Sequence, residues 1–472
     1  MKEKSSEEES DSFETVVDRE TKGIKTLLGD PKKAIIKLSV PMIFAMTVQT
    51  LYNLIDVLWV SGLGPDALAA VGFVFPFFFM ALALSTGLGI GGGSAISRRI
   101  GAKDKDGADS IAVHSILLSL IIAIVFTIIF LIFAYDIFSL LGAGRTTATA
   151  TLYARIIALG TTAVFFSFVA NAILRAEGDA KRAMFAMALG GILNIILDPI
   201  FIYTFGLGVP GAAWATVLSM SVSSLLLFYW LFLKKDTYVT FHFRGFHFQK
   251  KIIKDILGVG LPASVQQFSM SIMMLLINVI LVSVGGTDGV AVFSAGWRVA
   301  TIATLPLLGI ATGVVSVTGA AYGTREYPKL NTAYMYAIKI GFVIGLTLAI
   351  ATFVLAPLIS AAFTQAEAST RIADDLTAFI RIICIFYPGT AFGMLSSAMF
   401  QGTGKGINAL IVTIIRTIIL ATPLAWLFST ILFLDITGVW WGIVAGNLTG
   451  SFIAFTWAKI YIRKLLVPKK LT

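Results

Sequence analysis

Twelve runs of apolar residues, each long enough to cross a lipid bilayer, leave this chain few architectures. A spanning helix needs about 20 mainly apolar residues. Such runs lie near 35–60, 67–96, 110–134, 150–174, 183–206, 210–233, 255–284, 289–320, 333–359, 373–401, 407–432 and 436–462. The composition agrees: 57% of the 472 residues are hydrophobic and 13% are charged, the latter about half the roughly 25% of soluble proteins. A backbone in lipid must satisfy its own hydrogen bonds, and apolar runs of this length do so as helices. The expected fold is an all-α, polytopic membrane protein with twelve transmembrane helices.

The net charge of +10 could mark a nucleic-acid binder, but its distribution points to topology and to no nucleic acid. With the N-terminus in the cytoplasm, the inner segments collect Lys32, Lys33, Lys37, Arg98, Arg99, Lys103, Lys105, Lys181, Arg182, Lys250, Lys251, Arg325, Lys329, Lys405, Arg463 and Lys464. The outer loops hold little beyond Arg145 and Arg371. This asymmetry places both termini inside a cell membrane. The polar start, with Glu7-Glu8-Glu9, has no apolar core behind a basic segment and is not read as a signal peptide. It is expected to be a disordered tail over 1–30, closing in a short surface helix near Gly23–Asp30. One cysteine, Cys384, and three scattered histidines, His114, His242 and His247, give no disulfide and no convincing metal site.

The chain repeats itself. Leu38-Ser39-Val40-Pro41 matches Val259-Gly260-Leu261-Pro262, and Arg175-Ala176-Glu177-Gly178-Asp179 matches Gln401-Gly402-Thr403-Gly404-Lys405. Leu88-Gly89-Ile90 matches Leu308-Gly309-Ile310. Six spans per half make the repeat parallel, as in transporters whose substrate path runs between the halves. The expected division is an N-lobe over 31–234, a linker over 235–254, a C-lobe over 255–465 and a tail over 466–472.

An acid at the centre of a span costs about 2.5–3.5 kcal/mol on insertion scales, yet Asp56 and Asp198 both lie inside spans. Gln49, Tyr52, Asn53 and Asp56 share one helical face, as do Asn194 and Asp198, with Pro199 next to kink the helix and free carbonyls. Thr216 adds a hydroxyl. Carboxylates, an amide oxygen, a hydroxyl and loosened carbonyls are what a buried cation site requires. The second half has Ile277 and about Leu424 at the equivalent places, and its nearest acids, Asp374 and Asp375, sit at a span mouth. Ion chemistry is therefore expected in the first half. Blander roles suit the rest. Gly87–Gly93 should serve close helix packing, as should Met270, Met273 and Met274 and most of the Phe73–Phe79 run. Arg298, Arg381 and Arg416 should snorkel or sit at span ends. Tyr153 reads either as a cavity ligand or as an interface anchor.

Together, Pro41…Gln49…Tyr52-Asn53-Leu54-Ile55-Asp56, the turn Gly62-Leu63-Gly64, the Arg175–Asp179 loop, Asn194…Asp198-Pro199 and the twofold six-span plan resemble the multidrug and toxic compound extrusion (MATE) family over about residues 30–465. The similarity is to its DinF-like branch, including archaeal members. It implies a V of two six-helix lobes around a central cavity. It also implies alternating-access export of amphiphilic, often cationic, small molecules against inward H⁺ or Na⁺. The resemblance implies coupling through Asp56, Asn194, Asp198 and Thr216, which would also hold any Na⁺. Gln49, Tyr52, Asn53 and Tyr153 would stand nearby, and Pro41 would let the first helix bend. No other cofactor is implied, and the chain should act as a monomer in the membrane. A flippase for lipid-linked oligosaccharide precursors, from the same superfamily, is the alternative; deep acids argue against it and for cationic cargo. An enzyme lacks a nucleophile–base pair, and a channel lacks a ring of charges.

Overall fold

Lipid offers the backbone no hydrogen-bond partner, so each apolar run closes its own ladder. The computed structural model describes residues 21–234, 236–243, 246–365 and 367–467. The acidic start of the chain, Arg244 and most of the expected C-terminal tail lie outside these residues. A short helix, Lys22–Leu28, precedes spans α1 (Pro31–Ser61), α2 (Pro65–Gly101), α3 (Lys105–Leu140), α4 (Gly144–Ala176), α5 (Ala180–Thr204) and α6 (Val209–Leu233). The continuous segment Lys250–Gly323 breaks at Gly286, whose φ of 57° lies outside any helix, into α7 (250–285) and α8 (287–323). Then follow α9 (Tyr327–Phe363), α10 (Thr370–Gly402), α11 (Gly406–Ile431) and α12 (Asp435–Leu466). The fold is thus twelve membrane helices in two lobes.

Several helices start earlier than their apolar runs because polar caps extend them into the loops. Asp30 accepts from the Lys32 N–H at 2.8 Å, Asp104 from Gly107 at 2.9 Å and Asp179 from Arg182 at 3.2 Å. The repeat is written into the backbone. Left-handed residues recur at matching places in the two halves: Gly64 and Gly286, Lys103 and Arg325, Gly178 and Gly404, Gly208 and Asp435. Past Pro199, α5 continues and widens into a π turn over Ile200–Thr204. Pro41, by contrast, sits in an α1 that runs unbroken from Pro31 to Ser61.

The lobes lock together at the end that carries the basic loops. There α2 lies against α7 and α8 through glycines. A Cβ on Gly87 would strike Ser264 and Gly260, one on Gly91 would strike Ile256 and Gly260, and one on Gly101 would strike Ala320. Ser94 Oγ donates to the Gln401 carbonyl at 2.5 Å, and Arg98 pairs with Asp255 at 2.8 Å. At the far end, Arg145–Asp66 and Arg371–Asp288, both 2.7 Å, each stay within one lobe. A cavity of about 650 Å³ lies between the lobes.

Linker residues 236–243 and 246–249 are strapped under the N-lobe. Arg182 donates to both oxygens of Asp236 at 2.9 and 2.6 Å, Asp109 accepts from the Thr240 N–H at 2.9 Å, and His114 Nε2 accepts from the Gln249 N–H at 3.0 Å. Glu177, 2% exposed in the loop after α4, accepts from the Val239 N–H at 3.1 Å. The helix Lys22–Leu28 docks here as well: Ile24 and Leu27 are buried, and Gly23 lies directly on the backbone of Glu177 and Gly178. The short helix expected near Gly23–Asp30 thus runs over Lys22–Leu28, and α7 begins at Lys250, a few residues before its apolar run.

Two outcomes follow. Gly91→Val should overpack the α2–α7 crossing and lower stability by about 1–3 kcal/mol, read as a lower midpoint of thermal unfolding in detergent. Burial pushes the Glu177 carboxyl up to about 8 from its ordinary 4.5, against the Val239 N–H, which favours the ionised form. The folded state then holds a proton that the unfolded chain releases, so this group's stabilisation is full below about 4.5 and falls as pH rises to about 8. Glu177→Gln keeps the acceptor and removes the proton, so its melting point should fall less over that window than that of the wild type; equal slopes would contradict the assignment.

Candidate functional site

The N-lobe acids meet. Asp56 of α1 and Asp198 of α5 face each other in one buried pocket, brought together because α1 packs along α5. Tyr52 lies over Gly191, where a Cβ would come within 3.1 Å of the ring. Asn194, one turn before Asp198, donates to Asp198 Oδ1 at 3.2 Å and to Thr216 Oγ1 of α6 at 3.4 Å. Thr216 passes its own hydrogen to the Ala212 carbonyl at 3.0 Å. Asp198 and Asn194 are 0% and 1% exposed. Three oxygens here, Asp56 Oδ1, Asp198 Oδ2 and Asn194 Oδ1, are buried with no hydrogen-bond partner in the protein. Buried polar atoms are rarely left so, and here three acceptors converge on one pocket.

The pocket is layered. Toward the central cavity stand Tyr52 and Gln49, neighbours on one face of α1 and both on the cavity wall. Tyr153 of α4 reaches the same electrostatic neighbourhood as Asp56, Asp198 and Tyr52. On the far side, Tyr203 donates to the Trp59 carbonyl at 2.6 Å and crosses its ring edge-on, with Gly62 against the hydroxyl. Asp56, Asp198 and Thr216 lie within about two helical turns of the far ends of α1, α5 and α6. The acids are therefore in the half of the N-lobe away from the basic loops; α1 and α5 extend toward those loops, where Asp30 and Asp179 cap them.

Not every expected residue joins the site. Asn53 is exposed on α1 and off the cavity wall, since its neighbour in sequence, Tyr52, takes the inward direction. The plug of Trp59, Gly62 and Tyr203 carries no sequence signal beyond its place after the acids. The central cavity is walled by both lobes, with Phe79, Met187, Met270, Trp297 and Phe386 among its apolar lining. Of the three methionines on α7, Met270 lines it and Met273 is core.

The cavity's charge reverses the expectation drawn from the acids. Its charged lining residues are Arg175 and Arg416, and among the described residues no carboxylate joins them. Arg298 and Arg381 are exposed as expected, but Arg416 is only 8% exposed and turned inward. Its depth, ten residues inside α11, is the sequence signal that snorkelling could not accommodate.

A twelve-helix, two-lobed bundle with a shared central cavity and a buried acid pair in one lobe defines a membrane transporter. The profile of the MatE family matches residues 41–200 and 262–427, one stretch in each half. This chain belongs to the MATE family of transporters. It is 26% identical over 414 residues to the multidrug export protein MepA of Staphylococcus aureus (strain bovine RF122 / ET3-1), covering 87% of this chain and 90% of that protein. A solved outward-facing multidrug resistance MATE family transporter of the MOP superfamily is 51% identical with a TM-score of 0.92, covering 94% of this chain and 99% of the other. A MOP superfamily transporter from Pyrococcus furiosus Vc1, described as having a binding pocket of reverse polarity that suggests a different function, is 51% identical with a TM-score of 0.91 and the same coverage.

Two buried carboxyls with unpartnered oxygens are costly to hold side by side. Asp198→Asn relieves an acid pair with orphaned oxygens, so the apo protein should melt about 2–4 °C higher, the shift given by about 1 kcal/mol in a large domain. A lower melting point would mean that the carboxylate is structural.

Proposed function

We propose that this chain exports amphiphilic compounds by alternating access, coupled to inward movement of H⁺ or Na⁺ through the N-lobe acid pocket. The observation that carries this reading is the convergence of three buried, unpartnered oxygens on one pocket: Asp56 Oδ1, Asp198 Oδ2 and Asn194 Oδ1. Two carboxylates, an amide oxygen and a hydroxyl suit a hard monovalent cation, and a proton shared by the acid pair would relieve the same repulsion. Tyr52 and Gln49 separate the pocket from the cavity, so ion and cargo occupy adjoining sites and not one. An apolar, methionine- and aromatic-rich wall suits cargo of varied shape. The relatives are named as multidrug transporters, which supports export of drug-like amphiphiles. The description of the Pyrococcus furiosus pocket as reversed in polarity is in keeping with Arg175 and Arg416 on this cavity wall. Neither the exporter MepA nor the MATE transporters supply support for a flippase. The chain works as a monomer, with the basic end and both termini toward the cytoplasm of the cell membrane, following the distribution of Lys and Arg.

The route for coupling is α1. It carries Asp56 beyond Pro41 and touches the C-lobe around Pro41: Ile43 lies against Gly309 and Ser39 against Gly313, both on α8. Filling the acid pocket repacks the far half of α1, and Pro41, which lacks an N–H to hold the turn before it, is where that change can become a bend. A bound ion shifts the balance of access states only by its different affinity for them.

Reconstituted protein should move a fluorescent amphiphile under an imposed pH or Na⁺ gradient, tested separately. Asp56→Asn and Asp198→Asn should insert normally yet lose gradient-driven transport. Inter-lobe spin-label distances that change with pH or Na⁺ in the wild type should stop responding in the double variant. A double variant that responds like the wild type places the coupling site elsewhere, with Asp374 and Asp375 next to be replaced.

A further inference from the structure

We propose that Arg416 forms an oxyanion-binding half-site in the C-lobe, so that the cavity takes amphiphiles carrying a carboxylate or phosphate group. The inference rests on the export reading only in taking the central cavity as the cargo site. Arg416 is 8% exposed yet lines that cavity. Its Nε and Nη1 have no hydrogen-bond partner, and among the described residues no carboxylate pairs with it. An arginine stays protonated at any working pH, and a buried charge without a counter-charge is strongly unfavourable. Two other part-buried arginines are paired, Arg98 with Asp255 at 2.8 Å and Arg182 with Asp236 at 2.6 Å, whereas Arg175, at the N-lobe side of the same cavity, has no ion pair among the described residues.

The surroundings are shaped for the guanidinium rather than tolerant of it. α11 loosens into a π-helical stretch over Ile415–Ala421 that contains Arg416. A Cβ on Gly450 of α12 would lie 2.7–3.0 Å from the Arg416 backbone and side chain, and one on Gly393 of α10 would lie 3.0 Å from Nη1 and 2.6 Å from Ser451 Oγ. Two glycines thus leave a slot through which the side chain passes toward the cavity. Ser451 Oγ, beside the slot, is a second buried group with no partner, and Gln266 Nε2 on the same lobe's wall is a third. Arg416 Nε and Nη1, the Ser451 hydroxyl and the Gln266 amide are all hydrogen-bond donors. The N-lobe pocket is the opposite, a set of orphaned acceptors. Planar donors of this kind fit the oxygens of a carboxylate or phosphate.

Equilibrium binding to purified protein in nanodiscs tests this without any ion gradient. The probes are 11-(dansylamino)undecanoic acid, its methyl ester and inorganic phosphate. Wild type should bind the acid more tightly than the ester. Arg416→Met should weaken the acid about tenfold or more, the loss expected for a charge-assisted hydrogen bond, and leave the ester unchanged; retained ester binding also reports that the variant is folded. Arg416→Lys should keep part of the preference. The preference should persist in the Asp56→Asn, Asp198→Asn protein, so a failure of ion coupling and a failure of this site are told apart. Equal binding of acid and ester by the wild type, or an acid affinity indifferent to Arg416→Met, overturns the proposal. Displacement of the acid by inorganic phosphate at comparable concentration overturns the amphiphile in favour of a free anion. If Arg416→Met does not fold, the acid-to-ester ratio of the wild type and of Ser451→Ala decides.

Discussion

The architecture depends on how closely α2 can approach α7 and α8. Glycine at 87, 91 and 101 brings backbone against backbone, where any side chain would collide. In lipid, helices gain little from hiding apolar surface from one another, so close packing of small residues carries association. Here that packing joins the lobes at one end only. The remaining length of the helices is free to diverge, and the cavity lies in the space this leaves. The Arg98–Asp255 pair and the Ser94–Gln401 hydrogen bond stand at the same closed end. Such polar contacts at a water-facing end can be exchanged for contacts with water.

Most of the fold was legible because lipid imposes a single solution on a long apolar run. Twelve runs meant twelve helices, and the recurring Leu-Gly-Ile and loop motifs gave the twofold plan that the matched left-handed residues repeat in the backbone. Helix ends were less legible, since Asp30, Asp104 and Asp179 cap helices within polar loops where hydropathy gives no signal. The meeting of Asp56, Asn194, Asp198 and Thr216 could be read from depth and helical face. Depth within the membrane could not, because it depends on the true helix ends. Asn53 shows the limit of face arguments: it adjoins Tyr52 in sequence but is turned about 100° away on the helix, which is enough to take it off the cavity wall. Arg416 was misplaced because snorkelling is the general solution for an arginine in lipid; only the slot between Gly393 and Gly450 makes the inward course available.

The two halves share a backbone plan but have divided the charges between them. Asp198 on α5 has an apolar counterpart near Leu424, and Arg416 on α11 has a counterpart near the glycines of α5, where Tyr52 now packs on Gly191. A symmetric protein with an acid pair and an arginine in each lobe would neutralise itself locally and hold nothing. The unpartnered oxygens of Asp56, Asp198 and Asn194 lie in one lobe and the unpartnered nitrogens of Arg416 and Gln266 in the other. Each set can then be satisfied by something that comes and goes.

That separation bears on how one cycle could link two ligands. The acids sit behind Tyr52 and Gln49, so a cation held there need not touch cargo to influence it. Its effect must travel through protein, and α1 is the element in contact with both: Asp56 in its far half, Ser39 and Ile43 against α8 in its near half. Between them Pro41 removes one hydrogen bond from an otherwise unbroken ladder. A helix that lacks one hydrogen bond bends there at lower cost than elsewhere along its length. Bending α1 at Pro41 would move Ile43 relative to Gly309 and loosen the contact that α1 makes with the other lobe. The charge in the N-lobe pocket would in this way be read at the lobe interface, while the donors around Arg416 remain available to cargo throughout.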